Sequence, residues 1–248
     1  MHFLLQTDDV TIVEKRVIRH AAMLLDAPLS FASLNAAKHG LNPDIPADTV
    51  PVGTVEFVSA VMAARGIALP CHLSYPACLR PFLCRKVWEG KFGDAKGNVF
   101  VKPRHEIKGF TGALFDDLEL DLVVAPDYPV WISEPVWFVS EWRYYILNDR
   151  IVGAGRYDDG DEDIPEPDTK TVMLAVNAMR STGLSGYALD FGLLSDGRTA
   201  LIEANDGWAL GYYRRDSGAP SPTGYTGQCG SVDYARLLHA RWCQLNKQ

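Results

Sequence analysis

The stretch of sequence that decides the fold runs from residue 187 to residue 205 and reads YALDFGLLSDGRTALIEAN. Its two apolar runs flank Asp196-Gly197, a dipeptide typical of a two-residue turn between antiparallel strands. Counting outward from such a turn places Asp190 opposite Glu203. Asn205 lies two residues beyond Glu203, so its side chain leaves the strand on the same side. The sequence therefore predicts Asp190, Glu203 and Asn205 on one face of a hairpin.

The residues around these side chains help to decide between two interpretations, a metal site and a pair of acids exposed to solvent. An arbitrary Asp and Glu on a sheet are most often exposed to solvent. The neighbours in this hairpin are apolar, and the same count places Leu194 opposite Thr199. Two adjacent carboxylates in such surroundings repel each other unless a cation lies between them. Carboxylate and amide oxygens suit Mg²⁺, so we expect a magnesium site here. The flanking apolar residues are Leu189, Phe191, Leu201 and Ile202.

A second hairpin is predicted around Asn148-Asp149, between strands at 142–147 and 151–157. A two-residue turn there places Glu141 opposite Arg156, and Arg143 shares that face by alternation. A single Arg is more often a surface residue than a ligand. An Arg on such a face can nevertheless hold a carboxylate or a phosphate through two parallel hydrogen bonds.

The remaining periodicity predicts an α/β lobe over roughly the first 80 residues and a hairpin-rich part after it. The individual predictions are strands at 2–6, 99–102 and 130–133, and helices at 13–25, 55–64, 169–180 and 231–245. Asp168 or Thr169 is suited to begin the helix near residue 170, and Gly183 to close it.

Composition excludes several classes of protein. The chain has 248 residues, 47% of them hydrophobic, which is enough for a folded core. A net charge of -7 argues against nucleic acid as the main partner. No long apolar run predicts a membrane span, and the acidic N-terminus does not resemble a signal peptide. Five cysteines without a Cys-x-x-Cys pair suit reduced thiols, so we expect a cytoplasmic protein.

Basic residues that could neutralise phosphate lie upstream of both hairpins. Lys102 ends a strand that Pro103 stops. A glycine loop, Lys108-Gly109-Phe110-Thr111-Gly112, follows and could cover phosphates with its backbone N–H groups. The run Gly207 to Tyr213 directly after Asn205 could line a pocket, although aromatic runs are at least as often core packing.

The order of these parts resembles the ATP-grasp superfamily, in which two α+β subdomains grip ATP between them. The motifs that carry the resemblance are Arg85-Lys86, Phe100-Val101-Lys102-Pro103, Lys108 to Gly112, Ser133-Glu134-Pro135-Val136, Ser140-Glu141-Trp142-Arg143, Asp190-Phe191-Gly192 and Ile202-Glu203-Ala204-Asn205. Trp142-Arg143-Tyr144 together with Gly155-Arg156-Tyr157 looks most like the clade named for two arginines and a lysine.

The resemblance implies an α+β fold with an N-terminal lobe at 1–80 and an ATP-grasp domain at 81–248. It also implies roles for individual residues. Lys102 and Lys86 would contact ATP phosphates, with Arg85 as an alternative to Lys86, and Lys108 would belong to the covering loop. Glu134, Pro135 and Val136 would form the adenine hinge, and Glu141 would bind the ribose. Asp190, Glu203 and Asn205 would hold Mg²⁺, while Arg143 and Arg156 would serve the acyl phosphate or the substrate carboxylate.

These roles describe an ATP-dependent ligase that joins a carboxylate to an amine through an acyl phosphate and releases ADP and phosphate. The expected partners are a small-molecule or peptide carboxylate and an amine acceptor, without nucleic acid or membrane. The alternative is an ATP-binding module that has lost catalysis and acts through a protein partner. A protein kinase is disfavoured, because no His-Arg-Asp loop accompanies Asp190-Phe191-Gly192.

Overall fold

The computed structural model describes residues 1–8, 12–104, 110–115, 124–158, 164–213 and 228–247. Within these residues the chain forms three sheets with helices packed around them, which confirms the predicted α+β class. Lys108 and Gly109 of the glycine loop lie outside the described residues. No helix in the described part of the chain combines the length and the apolar character needed to cross a lipid bilayer.

The N-terminal lobe is a parallel sheet in the order β2-β1-β3. Its elements are β1 (Phe3–Gln6), α1 (Ile12–Leu25), β2 (Leu29–Ala32), α2 (Leu34–His39), β3 (Val50–Val52) and α3 (Val55–Ala64). The strand predicted at 2–6 and the helices predicted at 13–25 and 55–64 are confirmed. β2 and α2 were not predicted, because each is too short to show a clear period.

The middle of the chain forms an antiparallel sheet in the order β4-β7-β5-β6, which we call the first grip sheet. Its strands are β4 (Val87–Lys91), β5 (Phe100–Pro103), β6 (Ala113–Leu114) and β7 (Pro129–Ser133). The predicted strands at 99–102 and 130–133 are therefore confirmed to within one residue at each end.

The second grip sheet has the order β11-β10-β8-β9 and is antiparallel throughout. Its strands are β8 (Phe138–Leu147), β9 (Arg150–Arg156), β10 (Gly186–Leu194) and β11 (Thr199–Asp206). Helix α4 (Thr169–Met179) starts at the Asp168 cap, and after one 3₁₀ turn Gly183 ends it at φ +67°, as predicted. The predicted closing helix is α5 (Ser231–Leu245).

The hairpin of β10 and β11 pairs Asp190 with Glu203, as predicted, but the predicted turn is wrong by one residue. Thr199 lies opposite Leu193, not Leu194. The loop has three residues, because the N–H of Leu194 bonds to the carbonyl of Arg198. A bulge next to Asp190 then restores the predicted pairing, because Ile202 is the extra residue on β11. The turn shifts the pairing by one residue and the bulge shifts it back by one, so the prediction is correct at Asp190 and Glu203.

The hairpin of β8 and β9 has the predicted two-residue turn, with Asn148 and Asp149 both at positive φ. A bulge between Tyr145 and Ile146 then shifts the register. Arg156 lies opposite Trp142, so the predicted pairing of Glu141 with Arg156 is wrong. By strand alternation Arg156 therefore belongs to the opposite face from Glu141 and Arg143.

A close backbone contact lies just beyond this bulge. Gly153 has φ +154°, and a Cβ there would come within 2.4 Å of the backbone nitrogen of Cys229. The segment at 228–229 thus packs directly on β9, and an isolated bridge joins Ala154 to Gln228. The register shift accommodates this contact, which no short-range sequence signal announces.

The C-terminal helix packs into the N-terminal lobe. Tyr234, Leu238 and Trp242 of α5 are buried in the same hydrophobic cluster as Phe3 of β1 and Phe57 of α3. A separate cluster lies between the second grip sheet and α4. The division of the chain into two domains at residue 80 stays a prediction. Helix α5, which follows residue 80 in the chain, packs against the lobe that precedes it.

A buried ion pair anchors α5 to the end of β11. Arg241 donates from Nε and Nη2 to the two carboxylate oxygens of Asp206 at 2.7 and 2.6 Å. We expect Asp206→Ala to lower the free energy of unfolding by about 3–5 kcal/mol, because it leaves the buried Arg241 guanidinium without a counter-charge, with only Gln244 as a neutral acceptor. Urea titration measures this change.

The matched control is the exposed pair of Lys38 with Glu56, whose side chains are 44% and 62% exposed. Lys38→Ala should change the free energy of unfolding by less than about 1 kcal/mol. Equal effects of Asp206→Ala and Lys38→Ala would contradict the assigned role of the buried pair.

Candidate active site

The candidate site lies where the two grip sheets meet. Residues 134–137 leave the end of β7 and enter β8, so this short segment joins the first grip sheet to the second. Lys102 of β5 reaches across and its Nζ lies 2.6 Å from Oε2 of Glu203 on β11. This contact brings the predicted phosphate-binding lysine against the predicted metal-binding hairpin.

The predicted metal set converges on one face of the β10–β11 hairpin. Nδ2 of Asn205 donates to Oδ2 of Asp190 at 2.9 Å, and Asn205 also hydrogen-bonds to Glu203. The three side chains therefore meet, as the cross-strand count predicted. Among the described residues no three His, Cys, Asp or Glu side chains are grouped to hold a metal ion. The predicted metal-binding set consists of the carboxylates of Asp190 and Glu203 and the side-chain amide of Asn205.

Arg143 neutralises the deepest carboxylate of the site. It donates from Nε and Nη2 to the two oxygens of Asp190 at 2.8 and 2.7 Å. β8 and β10 place the two residues directly opposite each other, and both are buried. Burial raises the pKa of the Asp190 carboxyl, and the guanidinium of Arg143 opposes that rise. Two hydrogen bonds from one guanidinium define both the position and the orientation of this carboxylate.

Lys102 is held between a carboxylate and an aromatic ring. Its Nζ lies 4.3 Å from the centroid of Tyr75. Burial disfavours the charged ammonium, but Glu203 and Tyr75 outweigh it, so the pKa of Lys102 is raised. For Glu203 burial raises the pKa, but Lys102, Asn205 and Arg143 together lower it by more, so the net change of the pKa is downward. Both groups are therefore ionised at neutral pH.

The described end of the glycine loop lies against Lys102. A Cβ on Gly112 would come within 3.0 Å of Cβ of Lys102 and within 2.7 Å of the ring of Phe100. Only glycine allows the chain to pass this close to the lysine. Phe110 is buried in the core of the first grip sheet and anchors the loop there.

Glu141 and Arg143 share a face, as their alternation on β8 predicted, and two tyrosines cover it. Tyr157 hydrogen-bonds to Glu141 and stacks on Tyr213 with ring centroids 4.9 Å apart. The Tyr213 ring in turn lies over the guanidinium of Arg143, 4.8 Å from its carbon. The two stacked rings cover one side of the site, and the carboxylate of Glu141 lies beneath them.

The structure places Lys86 beside the hinge. The backbone N–H of Lys86 donates to Oε2 of Glu134 at 3.0 Å, and its Nζ lies 3.7 Å from Oε1. Arg85, the alternative residue, donates to the backbone carbonyls of Leu201 and Ile202. Arg85 thus holds the bulge of β11 with its guanidinium, and its position indicates a structural role.

Two predicted residues do not join the cluster. Arg156 donates to both oxygens of Asp158 and lies on the opposite face by register. Lys108 lies outside the described residues. The roles predicted for both stay predictions.

Comparison with protein families identifies this architecture. A sequence model of the ATP-grasp domain, family 2 of the clade named for two arginines and a lysine, matches residues 82–219, more than half of the chain. This chain belongs to that clade of the ATP-grasp family. A comparison with curated protein sequences finds no significant match.

Solved structures of other ATP-grasp proteins share the fold. D-cycloserine synthetase DcsG is 13% identical with a TM-score of 0.59, and the match covers 98% of this chain and 100% of that chain. D-alanine–D-alanine ligase from Bacillus anthracis is 14% identical with a TM-score of 0.56, over 98% and 95%. A RimK domain protein from Sphaerobacter thermophilus is 17% identical with a TM-score of 0.55, over 98% and 100%. These likenesses show that the chain has the fold of ATP-grasp ligases.

The ATP-grasp site has donors of the kind that Mg²⁺ and a nucleotide require. Two carboxylates and one amide on the face of one hairpin fit a hard cation with oxygen ligands. Among the described residues the backbone N–H and C=O of Val136 have no hydrogen-bond partner, so they are free for a base at the hinge. Lys102 supplies a cation next to the carboxylate of Glu203.

Sequence reasoning missed Tyr75 and His72, which approach the ATP-grasp site from the segment before the first grip sheet. Ser74 has a positive φ, and its carbonyl accepts from the N–H of Ala204 at 2.8 Å. This bridge places Tyr75 beneath Lys102. It also places the His72 ring near Lys102, where burial and then the ammonium charge lower its pKa. The segment has no motif, because its position depends on an isolated bridge to β11.

The charge on Glu141 predicts a stability that depends on pH. Burial raises its pKa, Tyr157 opposes the rise, and the nearby Asp158 and Asp190 add to it. A folded-state pKa above the unfolded value means that the ionised carboxylate destabilises the fold at neutral pH. This cost disappears as the pH falls through the raised pKa toward the ordinary value.

We therefore expect Glu141→Gln to raise the melting temperature at pH 7 by roughly 1–3 °C. The difference from wild type should vanish near pH 4, about the ordinary pKa of Glu. Calorimetric melting at both values measures it. A Gln variant that is less stable at pH 7 would show that Glu141 contributes favourably as a carboxylate.

Proposed function

We propose that this protein is an ATP-dependent carboxylate–amine ligase that works through an acyl phosphate and releases ADP and phosphate. The observation that carries the proposal is the contact between Lys102 and Glu203. It joins the two sheets of an ATP-grasp fold at the point where a phosphate cation and metal-binding carboxylates are needed.

The nucleotide is proposed to lie between the two grip sheets. The hinge of Glu134, Pro135 and Val136 would receive the adenine, and Glu141 the ribose hydroxyls. The side chains proposed to bind the phosphates are those of Lys86, Lys102 and Lys108. Support comes from the free backbone groups of Val136 and from the position of Glu141 along β8, after the hinge and two residues before the partner of Asp190.

Asp190, Glu203 and Asn205 would hold Mg²⁺, which when bound neutralises phosphate charge and orients the terminal phosphoryl group. Arg143 keeps the Asp190 carboxylate in one orientation and adds positive charge beneath the phosphates. Arg156 is proposed to act on the substrate carboxylate or the acyl phosphate. Its pairing with Asp158 requires it to change partners in order to do so.

The chemistry proceeds in two steps. An oxygen of the substrate carboxylate attacks the γ-phosphorus, the bond to the bridging oxygen breaks, and ADP leaves. The amine then attacks the acyl carbon, phosphate leaves with the bonding electrons, and the nitrogen loses a proton. In the first step the residues contribute mainly position and charge, and Lys102 supplies the charge nearest the phosphates.

Water must be kept from the acyl phosphate until the amine arrives. Tyr157 and Tyr213 already cover one side of the site with stacked rings. The glycine loop is the proposed lid, because Phe110 anchors its end and Gly112 lies on Lys102. Such a lid would close over the phosphates when the nucleotide binds.

The substrates we propose are a small-molecule or peptide carboxylate and an amine acceptor, with no nucleic acid or membrane as partner. Two similar structures are named as a D-cycloserine synthetase and a D-alanine–D-alanine ligase, names that fit amide-forming chemistry on small molecules. The described structure has five free cysteines, in keeping with the proposed cytoplasmic location.

The first test separates ADP-forming from AMP-forming chemistry. The protein is incubated with ATP, Mg²⁺, hydroxylamine and a panel of amino acids and short peptides as carboxylate donors. We expect ADP and a hydroxamate to appear together, because hydroxylamine intercepts an acyl phosphate. Chromatography of the nucleotides and a colorimetric hydroxamate assay measure the two products.

Glu203→Ala should abolish both products, whereas Lys38→Ala, on the remote surface pair, should leave both unchanged. AMP with a working donor would contradict the mechanism. ATP binding without any turnover across a broad panel would favour an ATP-binding module that acts through a protein partner.

The second test measures the contribution of Lys102 to nucleotide binding. Lys102→Ala should weaken binding of a non-hydrolysable ATP analogue with Mg²⁺ by roughly 10- to 150-fold, the value of a hydrogen bond to a charged group. Isothermal calorimetry measures it. Arg104→Ala is the matched control, because Arg104 follows the same strand but pairs with Glu89. Equal affinities for all three proteins would place the nucleotide elsewhere.

A further inference from the structure

The site contains two cation–carboxylate pairs, and their geometries differ. Arg143 and Asp190 belong to neighbouring strands of one sheet and share two hydrogen bonds. Lys102 and Glu203 belong to different sheets and share one hydrogen bond. The pair with one hydrogen bond between two sheets can separate more easily than the pair with two hydrogen bonds within one sheet.

The pair of Arg143 with Asp190 is a fixed part of the second grip sheet. The side chains are 10% and 2% exposed, and Asn205 donates a further bond to Asp190. Separating this pair would leave a charge buried in the sheet without a partner, which is strongly unfavourable. It therefore stays intact whatever the cleft contains.

The pair of Lys102 with Glu203 is built to separate. The lysine and glutamate side chains are 12% and 27% exposed, so the difference from the first pair lies in the carboxylate, and the lysine is a flexible point charge on a long stem. Tyr75 offers the ammonium a second contact, so Lys102 remains stabilised when it leaves Glu203. Each partner is also the proposed ligand of a different incoming group, since Glu203 would bind the metal and Lys102 the phosphate.

We propose that the contact between Lys102 and Glu203 is a latch between the two grip sheets that couples the binding of metal to the binding of nucleotide. Lys102 occupies the Glu203 carboxylate and keeps a divalent cation from it. The arrival of phosphate draws Lys102 away and exposes the carboxylate to the metal. This inference rests on the proposed function, because it uses the assigned nucleotide and metal sites.

The latch implies reciprocal coupling. If nucleotide frees Glu203 for the metal, then metal must by linkage strengthen nucleotide binding by the same factor. Metal alone and nucleotide alone should each bind weakly, because each must break the Lys102–Glu203 contact without help from the other. The contact also ties the two sheets together, so it limits opening of the free cleft.

The test uses Mn²⁺ as the probe, followed by its electron paramagnetic resonance signal, in the absence of nucleotide. Lys102→Met keeps an unbranched side chain one atom shorter than lysine and removes its charge. We expect this variant to bind Mn²⁺ at least roughly tenfold more tightly than wild type, since its Glu203 is no longer occupied. Arg104→Met is the matched control and should bind like wild type. Lys102→Gln serves if the Met variant fails to fold.

A second measurement separates failure of the latch from failure of the proposed function. Wild-type affinity for the non-hydrolysable ATP analogue is measured by calorimetry with and without Mn²⁺. Strong enhancement by Mn²⁺ in wild type, and a clearly smaller enhancement in Lys102→Met, supports the latch. Equal Mn²⁺ affinity of wild type and Lys102→Met, or analogue binding that ignores Mn²⁺, overturns it. No binding of the analogue under any condition overturns the proposed function itself.

Discussion

The structure depends on one electrostatic constraint, the placing of the buried carboxylate of Asp190 next to the partly buried carboxylate of Glu203. Asp190 and Glu203 face each other across β10 and β11, and neither can remain charged in an apolar sheet without a cation. Arg143 arrives from the adjacent strand and Lys102 from the other sheet. Neutralising this pair therefore draws on the neighbouring strand of the second grip sheet and on the first grip sheet.

Strand bulges adjust the geometry around this pair. One bulge follows Asp190 and lets a three-residue loop coexist with the pairing of Asp190 and Glu203. Arg85 binds the carbonyls at this bulge, so it stabilises the irregular part of the metal-binding strand. The other bulge, on β9, moves Arg156 away from Glu141. Each bulge decides which side chains reach the cleft.

The N-terminal lobe and the C-terminal helix complete the site from outside the two grip sheets. The hydroxyl of Tyr145 accepts from the N–H of Tyr213 and donates to the carbonyl of Gly211. Glu14 of α1 accepts from the neighbouring N–H of Tyr212. The segment that covers Arg143 is thus held by the lobe on one side and by the second grip sheet on the other.

The sequence by itself determined the α+β class, nearly all of the long elements and the convergence of Asp190, Glu203 and Asn205. The class follows from the resemblance of the motifs to the ATP-grasp superfamily, whereas the elements and the convergence depend on periodicity, turn residues and strand alternation, which are all local. Tertiary structure decided the rest. The bulge at β9 reflects the packing of Cys229 on Gly153, and Tyr75 lies under Lys102 through a single bridge to β11. The partners of Lys102 and Lys86 depend on how two sheets meet. Contacts between distant segments leave no periodic trace in the chain, so only the folded molecule shows them.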